Sequence, residues 1–330
     1  MHVVTIDTGT TNTRICIWQN NEIVAKSSRS VGVRNTAISG STQDLIVAIK
    51  EAIDEAFSQI EITPKDQITY LASGMITSNV GLHEIPHLIA PVGLNELSKG
   101  MEQKVIPEIS DEPIWFIPGV KNNVQLVTSD NYEAMDMMRG EETEAIGVLK
   151  SNELQGPALI VLPGSHSKFV KIDQLNRIEG CITTIAGELL DIITKHTILA
   201  SSLHDQFADE IDQNALLLGA KSSMQVGLAR SCFSIRVLDM FGDLSINQKA
   251  NVLLGAVLQE DIQAIKNSKA LNLTENTKIV VCGKAILRDG FVELIKHDPY
   301  FSGEIITIES TEKPLSLQGA LAIAKYKNII

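Results

Sequence analysis

Apolar and polar positions in the first twenty-five residues come in short runs, without helical spacing. Val3-Val4-Thr5-Ile6 stops at Asp7-Thr8-Gly9-Thr10-Thr11-Asn12, and Arg14-Ile15-Cys16-Ile17-Trp18 resumes at once. A polar turn, Gln19-Asn20-Asn21-Glu22, then leads to Ile23-Val24-Ala25. Three β-rich runs joined by tight polar turns predict an antiparallel meander. The period changes near residue 41. Ser41 or Thr42 caps the first expected helix, Asp44 lies in its first turn, and Leu45, Ile49, Ile53 and Phe57 recur along one face. Ile68-Thr69-Tyr70-Leu71-Ala72 reads as the next strand and ends at Ser73-Gly74-Met75. Residues 76–135, rich in Pro and Gly and short on periodicity, read as loops and short strands around a pocket.

The second half opens like the first. Leu159-Ile160-Val161-Leu162 runs into Pro163-Gly164-Ser165-His166-Ser167-Lys168, followed by Phe169-Val170-Lys171-Ile172, a polar turn at 173–177 and an apolar run at 181–185. Laid on the first meander, Gly164 matches Gly9, Ser165 matches Thr10 and Ser167 matches Asn12, at an offset of 164 − 9 = 155 residues. Two related halves are the expectation. Helices are expected at about 187–200, 208–230, 246–267, 284–296 and 316–327, alternating near the end with strands at 278–282 and 305–308. Strand–helix–strand order implies parallel crossovers. No linker interrupts the chain, so the boundary is expected inside a compact body, near 143–150.

Length and composition narrow the partners. A chain of 330 residues fits about two domains. A net charge of −12 with no basic block, and aromatics at only 4%, argue against a nucleic-acid or membrane-surface binder. A local nest of backbone N–H groups still holds a phosphate in such a protein. Cys16, Cys181, Cys232 and Cys282 lack CxxC spacing and read as buried thiols rather than zinc ligands. The apolar run after His2 is far too short for a signal peptide, and no run approaches a membrane span. A soluble, cytoplasmic protein is expected.

Three segments carry chemistry. The turn Asp7 to Arg14 combines glycine, threonine hydroxyls, an Asp and an Arg, which suits phosphate oxygens, with Asp7 able to hold a hydrated Mg²⁺. It is no Rossmann fingerprint, because GxGxxG is absent and a strand follows; no GxxxxGK[ST] occurs either. The turn 163–168 repeats that chemistry with a cation, Lys168, so two facing hairpins could clamp a polyphosphate. In Met138-Arg139-Gly140-Glu141-Glu142-Thr143 the adjacent glutamates point different ways on a helix start, so one is a candidate general base while the other is solvated. His83-Glu84-Ile85-Pro86-His87 matches HExxH, but Pro86 breaks the helix that a zinc site would need. Val280-Val281-Cys282-Gly283-Lys284 is a strand and glycine turn ahead of a helix.

The order of these pieces resembles the superfamily of sugar kinases, actin and heat-shock chaperone ATPases, and within it the 2-dehydro-3-deoxygalactonokinase family. The carrying segments are Ile6 to Arg14, Gly74 to Gly81, Ile117-Pro118-Gly119-Val120, Met138 to Thr143, Leu162 to Lys168 and Gly187-Glu188-Leu189. The resemblance implies an α/β protein of two actin-like (ribonuclease H-like) domains around a cleft. It assigns 1–143 to an N-terminal domain with the sugar-acid pocket, and 144–330 to a C-terminal domain with the adenosine side and most helices. It implies ATP and Mg²⁺, phosphorylation of 2-dehydro-3-deoxygalactonate at its 6-hydroxyl, and a possible homodimer. It puts phosphates between Gly9, Thr10, Thr11 and Asn12 on one side and Gly164, Ser165, His166, Ser167 and Lys168 on the other. Adenosine would lie near Gly283 and Lys284, and the sugar acid near Arg139, Arg14, Gly74, Met75, Ser78 and Asn79. Glu142 is the implied base with Glu141 in reserve, and Asp7 the Mg²⁺ organiser. Thr8 stands where the family usually has a bulky aromatic, and Lys284 replaces a small residue. A kinase of another sugar or 2-keto-3-deoxy acid, and a non-catalytic nucleotide-dependent binding protein of the same fold, are the alternatives.

Overall fold

The computed structural model describes residues 1–330 apart from 62, 64, 65 and 310–312. The opening meander is β1 (His2–Thr8), β2 (Thr13–Gln19) and β3 (Glu22–Arg29). Its register pairs Ile6 with Ile15 and Val4 with Ile17. These four turn to one face and pack on Leu45, Ile49 and Ile53 of the second of two helices, α1 (Val33–Ser39) and α2 (Gln43–Phe57). Val3, Cys16 and Trp18 point the other way and enter a separate core. Both faces of the strand are therefore covered, which is why β1 reads as a continuous apolar run.

β4 (Ile68–Gly74) joins β1 in parallel. The stretch expected as pocket loops holds β5 (Leu88–Ile89), α3 (Leu94–Gly100), β6 (Glu102–Ile106), β7 (Ser110–Phe116) and β8 (Val120–Lys121), with β9 (Met137–Met138) just past its end. β7 and β6 extend the main sheet to the order β3-β2-β1-β4-β7-β6, and β5, β8 and β9 form a small sheet of their own. After α4 (Glu141–Ser151) the plan repeats. β10 (Ala158–Leu162), β11 (Ser167–Ile172) and β12 (Ile178–Thr184) form the second meander. The helices α5 (Ala186–His196), α6 (Ala200–Leu203), α7 (Gln213–Val226), α8 (Leu228–Phe241) and α9 (Ile246–Asn267) follow. Next come β13 (Lys278–Gly283), α10 (Ala285–His297), β14 (Ile305–Glu309) and α11 (Leu315–Tyr326). The second sheet runs β12-β11-β10-β13-β14, the counterpart of β3-β2-β1-β4-β7.

Three helix boundaries differ from the sequence expectation. α1 precedes the helix at 43, because Val33 and Thr36 bury against the meander although the segment is only seven residues long. The expected helix 208–230 starts later, at Gln213, and is broken by Gly227 at φ 81°, beyond which α8 sets off as a separate helix. The expected helix 187–200 ends at His196, and a four-residue helix, α6, follows.

α4 and α11 cross between the two sheets. Ile146 and Leu149 of α4 and Leu317 and Leu321 of α11 share one core with Cys16 and Trp18 of the first sheet and Ile160 and Val170 of the second. The crossing is close because it is made of glycine. A Cβ at Gly147 would overlap the Leu315 carbonyl, and one at Gly319 the Thr143 carbonyl. Gly319→Ala should therefore push the helices apart and cost about 1–3 kcal/mol, the usual range for overpacking. A fall in the urea midpoint at unchanged slope checks this, and an unchanged midpoint would mean that the crossing yields freely.

Candidate active site

Both phosphate-type turns hang from the ends of central strands. The first closes with the Gly9 N–H donating to the Asn12 carbonyl at 2.8 Å and is buttressed by the start of α1: Val33 N–H donates to Gly9 O at 3.2 Å, and Arg34 N–H to Thr10 O at 2.9 Å. Gly32 makes that approach possible, since a Cβ there would meet Gly9 O and Thr10 C at 2.5 and 2.6 Å. The second turn rests on α5, where Glu188 N–H donates to Ser165 O at 3.1 Å and a Cβ on Gly187 would overlap Gly164 O. Gly32 and Gly187 lie 187 − 32 = 155 residues apart, the same offset as Gly9 and Gly164. The repeat thus includes the support under each turn, which no local motif announced at Gly32. The neighbouring strands end alike: Gly74 closes β4 beside Thr8, and Gly283 closes β13 beside Pro163.

Between the halves lies a cavity of about 370 Å³ whose walls include Asp7, Arg14, Gly74, Arg139, Glu141 and Gly283. Asp7 sits at the end of β1 with Arg14 Nη1 at 3.7 Å and the Ser316 hydroxyl of α11 at 3.4 Å. Burial pushes its carboxyl up, against the pull of Arg14. Among the described residues no group of three or more His, Cys, Asp or Glu is gathered for a metal. The donor set fits Mg²⁺ in its phosphate-bound mode, one carboxylate completed by water and substrate oxygens.

Arg139 is held as a fork. Its Nη1 donates to Thr77 Oγ1 at 2.8 Å, its Nη2 to Ile85 O at 2.7 Å, and His87 Nδ1 lies 3.4 Å from Nη2. Burial, with the Arg139 charge, lowers His87 to about 4, so a neutral imidazole faces the guanidinium at neutral pH. Gly119 leaves room for the cluster: a Cβ there would meet Arg139 Cγ at 2.7 Å and His87 Cδ2 at 2.9 Å. The HExxH segment is no helix. His83 turns to Glu102 at 2.8 Å while His87 turns to Arg139. Thr77 and His87, next to the expected Ser78 and inside a motif set aside, were the missed neighbours.

The two glutamates separate sharply. Glu141 lines the cavity, one carboxylate oxygen accepting from the Arg139 N–H at 3.1 Å. Glu142 is wholly buried, and both of its oxygens accept from the Gly140 N–H at 3.0 and 2.8 Å. Burial, helped by the Glu141 charge, pushes its carboxyl up to about 8. Glu142, expected as the base, therefore lies buried under its own helix start and away from the cavity wall, whereas Glu141, expected in reserve, lines it. Glu144, one turn on, also lines the cavity and is raised to about 7 by burial. Linkage gives a check. Glu142 loses its proton near its ordinary 4.5 when unfolded and near 8 when folded, so its contribution is greatest below about 4.5 and is lost as pH rises through about 8. Glu142→Gln should gain thermal stability over the parent progressively across that window in melts run from pH 4 to 9. A constant difference would mean that Glu142 ionises normally.

Other expected residues fall differently. Thr10, Thr11 and Asn12 are exposed on the first turn, as are Ser165 and His166 on the second, where His166 pairs with Glu188 at 3.0 Å. Lys168 is corrected: as the second residue of β11 it is buried, and its ammonium donates to Met137 O at 2.9 Å and to the Thr183 hydroxyl, so its charge is spent away from the turn. Ser167 is buried as well, its hydroxyl without a hydrogen-bond partner among the described residues. Ser78 hydrogen-bonds Met75 O at 2.7 Å, and Asn79 is exposed; Met75, Ser78 and Asn79 lie outside the cavity wall. Lys284 is exposed at the start of α10, also outside it. Arg14 is 60% exposed on the rim.

No helix among the described residues is long and apolar enough to cross a membrane. The profile of a family described as 2-keto-3-deoxy-galactonokinase matches residues 7–300. A probable 2-dehydro-3-deoxygalactonokinase, DgoK1, of Rhizobium meliloti is 27% identical over 198 residues, a match that spans 60% of this chain and 58% of that protein. The crystal structure of a Sinorhizobium meliloti protein, provisionally described as a 2-dehydro-3-deoxygalactonokinase, superposes with a TM-score of 0.72 over 98% of each chain at 21% identity. That likeness is one of fold, and with the repeated sheet order it gives the two-domain actin-like architecture.

Proposed function

Since the chain belongs to the 2-keto-3-deoxy-galactonokinase family, we propose that it transfers the γ-phosphoryl group of ATP to the 6-hydroxyl of 2-dehydro-3-deoxygalactonate. The observation that carries this reading is the convergence, in one cavity, of the Asp7 turn, a fixed guanidinium at Arg139 and a carboxylate at Glu141.

Phosphoryl transfer needs positioning and charge neutralisation more than covalent help. Backbone N–H groups and hydroxyls at 10–12 and 164–166 take the phosphate oxygens, and Asp7 would hold Mg²⁺, which when bound would neutralise phosphate charge. The Arg139 fork takes the substrate carboxylate. Glu141 receives the proton of the 6-hydroxyl as its oxygen bonds to the γ-phosphorus, and the bond from that phosphorus to the β–γ bridging oxygen breaks to release ADP. Residues 1–143 and 144–330 act as the two bodies, closing about α4 and α11 to exclude water. With a side chain at 187, the second turn would be displaced. Gly187→Ala is therefore expected to raise KM for ATP at least about tenfold, as misplaced positioning groups do, with KM for the sugar acid little changed. Equal shifts in both would argue for general distortion.

The position of transfer is tested on the product. Phosphorus NMR should show coupling to two methylene protons, as a 6-phosphate requires. Coupling to a single methine proton would put the phosphate on a ring or chain carbon and overturn the 6-hydroxyl assignment.

A further inference from the structure

The outer helices of the second half carry an uncovered apolar face. Among the described residues, eleven of the twenty-three exposed large hydrophobic side chains lie between residues 185 and 241. Four of them fall on one side of α8: Phe233, Val237, Met240 and Phe241, with Phe241 80% exposed. The opposite side of that helix, Ser231 and Ile235, is what packs inward. Such a stripe on a surface helix marks an interaction site more often than a solvated face.

We propose that a second copy of this chain docks on α8 across a two-fold axis at Val237. The stripe is self-complementary about that residue. Phe233 lies four residues before it and Phe241 four after; Arg230 lies seven before and Asp243 six after. In an antiparallel pair of α8 helices, Phe233 meets the partner's Phe241 and Arg230 meets the partner's Asp243, each contact occurring twice, as an isologous interface requires. Arg230 rests over the Phe233 ring at 5.9 Å and, like Asp243, has no ion-pair partner among the described residues. The charges of α8 other than Arg230 are already used within the protomer, since Arg236 and, from α9, Lys249 both pair with Asp239, at 3.4 and 2.7 Å; Asp243 lies just past the Gly242 cap of α8. A parallel pairing would set Arg230 on Arg230 and Asp243 on Asp243, which like-charge repulsion disfavours. A stable dimer buries roughly 800 Å² per partner. Leu218, Met224 and Val226 of the adjoining α7 extend the apolar face beyond α8 toward that area.

Sedimentation equilibrium on the full chain tests this. The parent protein should run at twice 35.9 kDa. Phe241→Glu, Arg230→Glu and Asp243→Arg should each weaken the dimer at least about tenfold, the scale of one lost charge or apolar anchor. Arg230→Glu with Asp243→Arg together should restore it. All three positions are solvent-exposed in the protomer, so circular dichroism and melting temperature should match the parent. A monomer at tens of micromolar protein, a dimer indifferent to Phe241→Glu, or a double reversal no tighter than either single one would overturn the proposal.

Discussion

Glu141→Gln should lower kcat by about 10²–10⁴, the usual worth of a positioned general base, with KM for ATP near the parent value. The amide keeps the volume and one acceptor for the Arg139 N–H, so the start of α4 should stay folded. Glu142→Gln is the control, because its buried carboxyl, pushed up to about 8, accepts from the Gly140 N–H and lies off the cavity wall. It should keep most of the parent turnover while gaining stability at high pH. Single-turnover kinetics on the two variants decides between neighbouring residues. If Glu142→Gln is the dead enzyme and Glu141→Gln the live one, the cleft assignment fails and the buried acid must become exposed on closure.

Arg139→Ala should raise KM for the sugar acid at least roughly 100-fold, since charge-assisted hydrogen bonds contribute about 1.5–3 kcal/mol each and a fork makes two. KM for ATP should stay near the parent value. Arg139→Lys should recover little, because an ammonium cannot hold Thr77, Ile85 and a carboxylate at once. His87→Ala should sit between, loosening the fork without removing its charge. Steady-state kinetics with both substrates varied gives the numbers. An Arg139→Ala enzyme with unchanged sugar-acid KM would move the carboxylate site elsewhere.

Much of this was legible in the chain. The meander followed from short β-rich runs broken at Asp7 and Gln19, and the duplication from the match of Gly9 to Gly164. Gly32 and Gly187 carried the same offset, but their meaning is tertiary: each is small because a distant turn lies on it, and nothing local to Gly32 says so. Lys168 was misread because the side a residue takes at the start of a strand is set by register, and its pairing with Leu162 and Thr183 aims it inward. Glu141 and Glu142 were indistinguishable for a related reason. Adjacent helical residues point about 100° apart, and only the packing of α4 decides which of the two is buried. The role of α11 was invisible: it crosses α4 from the far end of the chain and brings Ser316 to Asp7.

The central claim is a kinase whose acceptor is a 2-keto-3-deoxy sugar acid. The most direct measurement is ATP consumption by the full-length protein with Mg²⁺, over a panel of 2-keto-3-deoxy sugar acids and neutral hexoses. The account predicts turnover with the acids, highest for 2-dehydro-3-deoxygalactonate, and little with the neutral sugars. Turnover confined to the neutral hexoses would contradict it.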